Sequence, residues 1–234
     1  MIPFRDNIPS RRYPLVTLLI IIVNIAAFVY QLTLPPQELK QLVGLYGVVP
    51  ARLLSTAEYP VQILRITATS LVVSMFLHGG WFHLIGNMWY LWIFGDNVED
   101  RMGHFRFLLF YLLCGFAASF VHILFNLNSP IPSIGASGAI AGVLGAYFVS
   151  YPFARVLTLV PFFFIWPVVE LPALIVLGSW FFVQLLNGSA AVIAAAQTTG
   201  GVAWWAHIGG FLAGMILLGV FAQKRPRRYS WEEI

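Results

Sequence analysis

Residues 135–151 read GASGAIAGVLGAYFVSY, an apolar run without a charged side chain that opens at Ser137 and meets Pro152 at its end. The run predicts a helix from Ser137 to near Tyr151, since a proline disfavours helix at and just before its own position. About 14 residues at 1.5 Å each give about 21 Å, short of the roughly 30 Å of a bilayer's hydrocarbon core. A helix of that length in a membrane must start below one surface. Gly138, Gly142 and Ala146 recur at every fourth position, a stripe of small residues that lets another membrane helix approach closely.

The rest of the chain asks for the same solvent. Hydrophobic residues make up 59% and charged residues 9%, against roughly 25% charged in soluble domains. At about 20 residues per span, the 234 residues hold one membrane domain and no second globular one. Working outward from 135–151, further apolar segments lie at about Tyr13 to Gln31, Phe82 to Val98, Phe105 to Leu127, Leu171 to Leu186 and Val202 to Ala222. The fifth is bounded by Pro161, Pro167 and Pro172, which break the run after Arg155. The first is preceded by arginines like a secretory signal, yet it contains Asn24, lacks a clear small-residue cleavage site and is followed by more apolar runs, so it reads as a retained span.

The expected fold is therefore an all-α membrane protein, a six-transmembrane-helix bundle. Its expected parts are a cytoplasmic N-terminal segment at 1–12, the six-span domain at 13–222 and a basic cytoplasmic tail at 223–234. With both termini inside, Arg5, Arg11, Arg12, Arg101, Arg106, Arg155, Lys224, Arg225, Arg227 and Arg228 lie on the cytoplasmic side, leaving Lys40, Arg52 and Arg65 outside, as the positive-inside rule asks. The same clustering at the chain ends assigns the net charge of +4 to anionic membrane lipids and not to nucleic acid. The long first loop, about Leu32 to Trp81, is rich in apolar residues and is expected to pack on the bundle or dip into the interface; an ordinary tether is the alternative. Cys114 is the lone cysteine, which excludes a disulfide framework and a cysteine-rich metal site.

Polar side chains inside spans are costly, and hence are candidates either for function or for interhelical hydrogen bonding. His83 and Asn87 stand four apart near the outer end of the second segment, on one helix face. Ser137 stands where a helix begins after a turn, so free N–H groups and a positive dipole end surround its hydroxyl; an N-cap is the structural alternative. His207 lies about five residues into the sixth segment, roughly 7 Å below its outer end. Ser137 and His207 thus arrive at similar depths from the same side. Ala206, Gly210 and Gly214 form a second small stripe. If it faces the stripe at Gly138, Gly142 and Ala146, His207 can serve as the base that a serine nucleophile needs. Asp96, Glu99 and Asp100 fall at the cytoplasmic end of the second segment and Glu170 at that of the fifth. The pair therefore reads as a dyad without a third acid, with His83, Asn87 and the Ser137 N–H facing a developing oxyanion.

At these residues the chain resembles the rhomboid family of intramembrane serine proteases, through His83-Leu-Ile-Gly-Asn87, Gly135-Ala-Ser137-Gly138 and Ala206-His207-Ile-Gly-Gly210 with Gly214. The resemblance runs from about His78 onward. Val98-Glu99-Asp-Arg101-Met-Gly103 is similar to the family's Glu-x-Arg-x-Gly stretch, which implies a structural loop network. The resemblance implies a six-helix bundle of rhomboid type, with Ser137 as nucleophile, His207 as general base, and His83 and Asn87 as oxyanion donors. It also implies a water-filled cavity open to the outside, and a mobile fifth helix and adjoining cap loop, about Asn187 to Gly201, admitting substrate helices. Some members carry an aromatic four residues after the serine, stacked on the histidine; this chain has Ala141. The orientation of His207 then falls to another aromatic, with Trp204 and Trp205 nearest, or to Ser137 alone.

Expected partners are transmembrane protein substrates and lipids, with no cofactor and no metal; no His-Glu-x-x-His pattern occurs. The sequence carries no signature of oligomeric state. Lack of a long presequence points to a bacterial-type plasma membrane. The principal rival reading is a proteolytically inactive rhomboid-like protein that binds transmembrane segments. A solute channel would spread polar residues over several depths, whereas here they gather at one end.

Overall fold

The computed structural model describes residues 1–55, 60–161, 164–193 and 202–223. Eight α-helices are found among them: α1 (Leu15–Thr33), α2 (Pro36–Tyr46), α3 (Pro60–Val73), α4 (Trp81–Met102), α5 (His104–Phe125), α6 (Ser137–Ser150), α7 (Ala173–Ile193) and α8 (Trp204–Phe221). Each of the six apolar segments is thus a helix. α6 occupies the centre, with every residue from Gly138 to Tyr147 buried. Around it, Leu19, Ile22, Ile85, Trp92, Leu113, Ile216 and Val220 turn outward and are exposed, the inverse of a soluble protein's surface and the arrangement a lipid solvent favours.

α1, α5, α7 and α8 are each long and apolar enough to cross a membrane. Residues Val61–Phe76 and α4 pass together as a pair bent by 81°, and α6 is a shorter apolar helix. α4 carries Asp96, Glu99, Asp100 and Arg101 in its last turns. Glu99 is 1% exposed; it accepts the N–H groups of Val16 and Thr17 at 2.9 and 2.8 Å, the Thr17 hydroxyl at 2.7 Å, and lies 2.5 Å from His104 Nδ1. One carboxylate thereby ties the start of α1 to the α4–α5 corner.

The chain is mostly helical, not all-helical as the sequence led us to expect. β1 (Ile2–Asp6), β2 (Arg155–Leu159) and β3 (Val168–Pro172) form an antiparallel sheet in the order β1-β2-β3. β2 and β3 pair from Arg155 with Pro172 to Leu159 with Val168, and β1 adds through Ile2 with Leu159 and Asp6 with Val156. The stretches RVLTL and VVEL are rich in strand-favouring residues, and Pro161 and Pro167 sit in the connection, where a missing N–H is harmless. Leu171, expected to open the fifth helical segment, instead ends in β3; the helix starts at Ala173, directly after Pro172, and runs to Ile193.

The sheet gathers one end of the bundle. Arg155 donates its N–H to Asn7 Oδ1 at 2.8 Å, Trp89 Nε1 donates to Pro3 O at 2.6 Å, Tyr147 Oη donates to Asp6 Oδ2, and Gln223 N donates to Arg101 O at 3.0 Å. Lys224, Arg225, Arg227 and Arg228 lie outside the described residues. At the other end the first loop, far from a bare tether, contributes α2 and α3 and pairs Val48 with Ser133. Ala51 N also donates to Ser129 O at 3.0 Å, bracing the segment that leads into α6.

Candidate active site

Two glycine contacts bring α6 and α8 together. A methyl group at Gly210 would overlap the carbonyl of Gly138, and one at Gly214 the carbonyl of Gly142. The two small-residue stripes therefore face each other, and only hydrogen side chains allow the approach. The chain reaches α6 through Gly135, whose φ of +125° favours glycine. The His83 ring lies so near that an added Cβ there would sit 2.7 Å from its Cε1 and Nε2. Gly135 N donates to Ser74 O at 2.8 Å, fixing this turn.

Ser137 is the first residue of α6, after Ala136 at the cap, and no side chain caps the helix. Its Oγ is 2.8 Å from His207 Nε2, so the hydroxyl faces the imidazole and is not spent as an N-cap. His207 is 8% exposed. Its other nitrogen, Nδ1, is 2.8 Å from Gln184 Oε1 on α7. Three helices thus meet in a line of hydrogen-bonding groups running Ser137, His207, Gln184.

Of the two aromatics expected beside the His207 ring, Trp204 is there and Trp205 is not, and Trp180 adds a nearer one. Trp180 lies with its centroid 5.7 Å from His207 at 35°, while Trp204 meets it edge-on at 6.5 Å. Trp205 instead stacks on Phe125 at 3.6 Å. Ser137 alone does not hold the ring. Gln184 escaped the sequence reading, although it is a polar residue within the apolar stretch WFFVQLL at 180–186 and an intramembrane polar side chain is itself a signal.

His83 and Asn87 line a cavity of about 1020 Å³ together with Ser137, His207, Ala141 and Trp180. The Asn87 side chain is buried and its Nδ2 has no hydrogen-bond partner among the described residues, leaving a donor beside the serine's helix. Gly79 N donates to His83 Nδ1 at 3.4 Å, and His78, itself 2% exposed, packs edge-on against the His83 ring at 5.1 Å. His122 of α5, also unremarked in the sequence, lines the same cavity. Of the expected cap loop, residues 194–201 lie outside the described residues.

A mostly helical, membrane-type fold with a serine and a histidine in contact at one end of its bundle defines the class. The sequence matches the profile described as Rhomboid domain over residues 65–224, and the chain belongs to the rhomboid family. It is 34% identical over 163 residues to RHOMBOID-like protein 6, mitochondrial, of Arabidopsis thaliana, covering 70% of this chain and 46% of that protein. It is 27% identical over 183 residues to presenilin-associated rhomboid-like protein, mitochondrial, of Homo sapiens, covering 73% and 44%. Over 76 residues it is 47% identical to Rhomboid protease GluP of Bacillus subtilis (strain 168), covering 32% and 14%. The chain thus spans less than half the length of these curated relatives. Two of them carry a mitochondrial name, so family membership does not favour the plasma membrane expected from the sequence.

Proposed function

We infer that the protein is an intramembrane serine endopeptidase, hydrolysing a peptide bond in or beside a substrate's transmembrane helix. The observation that carries this reading is the 2.8 Å contact between Ser137 Oγ and His207 Nε2 beside a cavity. In the reaction, Ser137 Oγ attacks the scissile carbonyl carbon while its proton passes to His207 Nε2. The oxygen gains negative charge, faced by the first-turn N–H groups of α6, which have no i−4 carbonyl, and by the side chains of His83 and Asn87. The C–N bond then breaks, the amine leaves with the proton from His207, and an acyl group stays on Oγ. Water, deprotonated by the same imidazole, hydrolyses that ester and restores the serine. A helical amide is shielded by its own hydrogen bond, so the substrate segment must unwind first.

This reading takes α1, α4, α5, α6, α7 and α8 as six spans, α6 reaching only part of the way. Both termini and the sheet lie on the cytoplasmic side, which leaves the cavity facing the opposite compartment. Transmembrane proteins are the substrates. The test is labelling of the detergent-solubilised protein by an activated phosphonate. Wild type should label, whereas Ser137→Ala and His207→Ala should not, with unchanged thermal unfolding. Labelling that survives Ser137→Ala would remove the nucleophile assignment, and no labelling of wild type would favour the inactive, segment-binding alternative.

A further inference from the structure

Gln184 is 4% exposed, and both ends of its carboxamide are engaged. Its Nε2 donates to the Trp180 carbonyl at 3.2 Å, and its Oε1 lies 2.8 Å from His207 Nδ1. An amide NH2 only donates and a carbonyl oxygen only accepts. The backbone carbonyl of Trp180 therefore decides which end of the amide turns inward. With oxygen facing Nδ1, that nitrogen must carry the hydrogen. Nε2 is then left with a lone pair, 2.8 Å from the Ser137 hydroxyl. The reversed amide would set its oxygen against the Trp180 carbonyl, two acceptors face to face, and would demand a hydrogen on Nε2 instead.

We propose that Gln184 is the positioning residue of the site, holding His207 in the tautomer whose Nε2 can take the proton of Ser137. This rests on the dyad reading above and adds to it a neutral third member. A neutral imidazole can carry its hydrogen on either nitrogen, and only one choice makes a base here. An Asp or Glu fixes the tautomer in serine hydrolases of water-soluble type, but an ionised carboxylate at this depth is costly. A carboxamide gives the same direction to the hydrogen bond without the charge. It also ties the base to α7, whose Phe181 stacks on Phe211 of α8 at 4.5 Å. A shift of α7 by even 1 Å would lengthen the bond that sets the tautomer.

Two readouts test this in the full-length protein. Activated-phosphonate labelling gives the rate of the chemical step apart from probe binding, and 15N spectra of histidine-labelled protein give the tautomer of His207. In Gln184→Leu the chemical step should slow about 10- to 100-fold, the cost of leaving a buried donor unpaired, with probe binding unchanged and the Nδ1–H tautomer no longer dominant. Gln184→Met, of closer length, serves if the leucine variant does not fold. Gln184→Glu keeps an oxygen acceptor and should restore both the rate and the tautomer. A wild-type rate or an unchanged imidazole spectrum in the apolar variants would overturn the proposal, as would a wild-type His207 protonated at Nε2. Ser137→Ala in parallel separates the two readings: if it still labels, the nucleophile assignment falls, while the imidazole spectra go on judging Gln184.

Discussion

The Asn87 carboxamide is buried in the wall of the cavity that Ser137 shares, its Nδ2 unpartnered among the described residues. A buried donor left unpaired costs about 1–3 kcal/mol, and in the reaction proposed above a developing oxyanion would offer it a partner. Asn87→Ala should therefore spare folding and probe binding but slow acylation of Ser137 by about 10²-fold, the scale of one oxyanion donor. A variant with the wild-type rate would remove Asn87 from the site. The four residues singled out in the sequence were legible because each, though open to a structural explanation on its own, is a polar side chain inside an apolar run, and their spacing set them at one depth. Gln184 was not legible because the second partner of such a histidine is usually an acid, and a carboxamide carries no charge to mark it. His78 and His122 were missed because each stands alone, and only packing brings their rings near His83 or into the cavity wall.

At the scale of helices, the site depends on how closely α6 and α8 approach. Gly210 meets the Gly138 carbonyl with no room for a methyl, whereas Gly219, on the same helix, has nothing among the described residues within 4 Å of the position a Cβ would take. Gly210→Ala should force the backbones apart, lowering stability by roughly 1–3 kcal/mol as overpacked sites do and abolishing phosphonate labelling, because the Ser137–His207 bond has little tolerance. Gly219→Ala should leave labelling intact and be neutral or slightly stabilising, given the helix propensity of alanine. Equal behaviour of the two variants, by thermal unfolding in detergent, would contradict the packing argument. The stripes were readable as a four-residue period, and the apolar helices by length. The sheet was not: its strands are five residues each, two lie in a proline-broken loop, and the third pairs across some 150 positions from a segment that reads only as a charged flank.

Seen as a whole, the molecule has a polar end at each extreme of α6. Ser137 begins the helix, and Tyr147, near its other end, donates to Asp6 of β1. Burial pushes the Asp6 carboxyl up to about 6, helped by the nearby Asp96 and opposed by the Tyr147 hydrogen bond. In the unfolded chain the same group titrates near 3.8. The folded protein therefore keeps a proton between about pH 4 and 6 that the unfolded chain has already released, so this group's contribution is full in acid and is lost as pH rises through 6. Asp6 is only partly buried, and solvent screening reduces the loss to on the order of 1 kcal/mol. The attachment of β1 to β2 should weaken accordingly. Hydrogen exchange of the β1 and β2 amides, corrected for the intrinsic dependence on pH, should show less protection at pH 7.5 than at pH 5. Asp6→Asn cannot ionise and should flatten that difference, with protection at neutral pH at least as high as in the wild type. If the variant keeps the wild-type pH dependence, Asp6 is not the group that sets it.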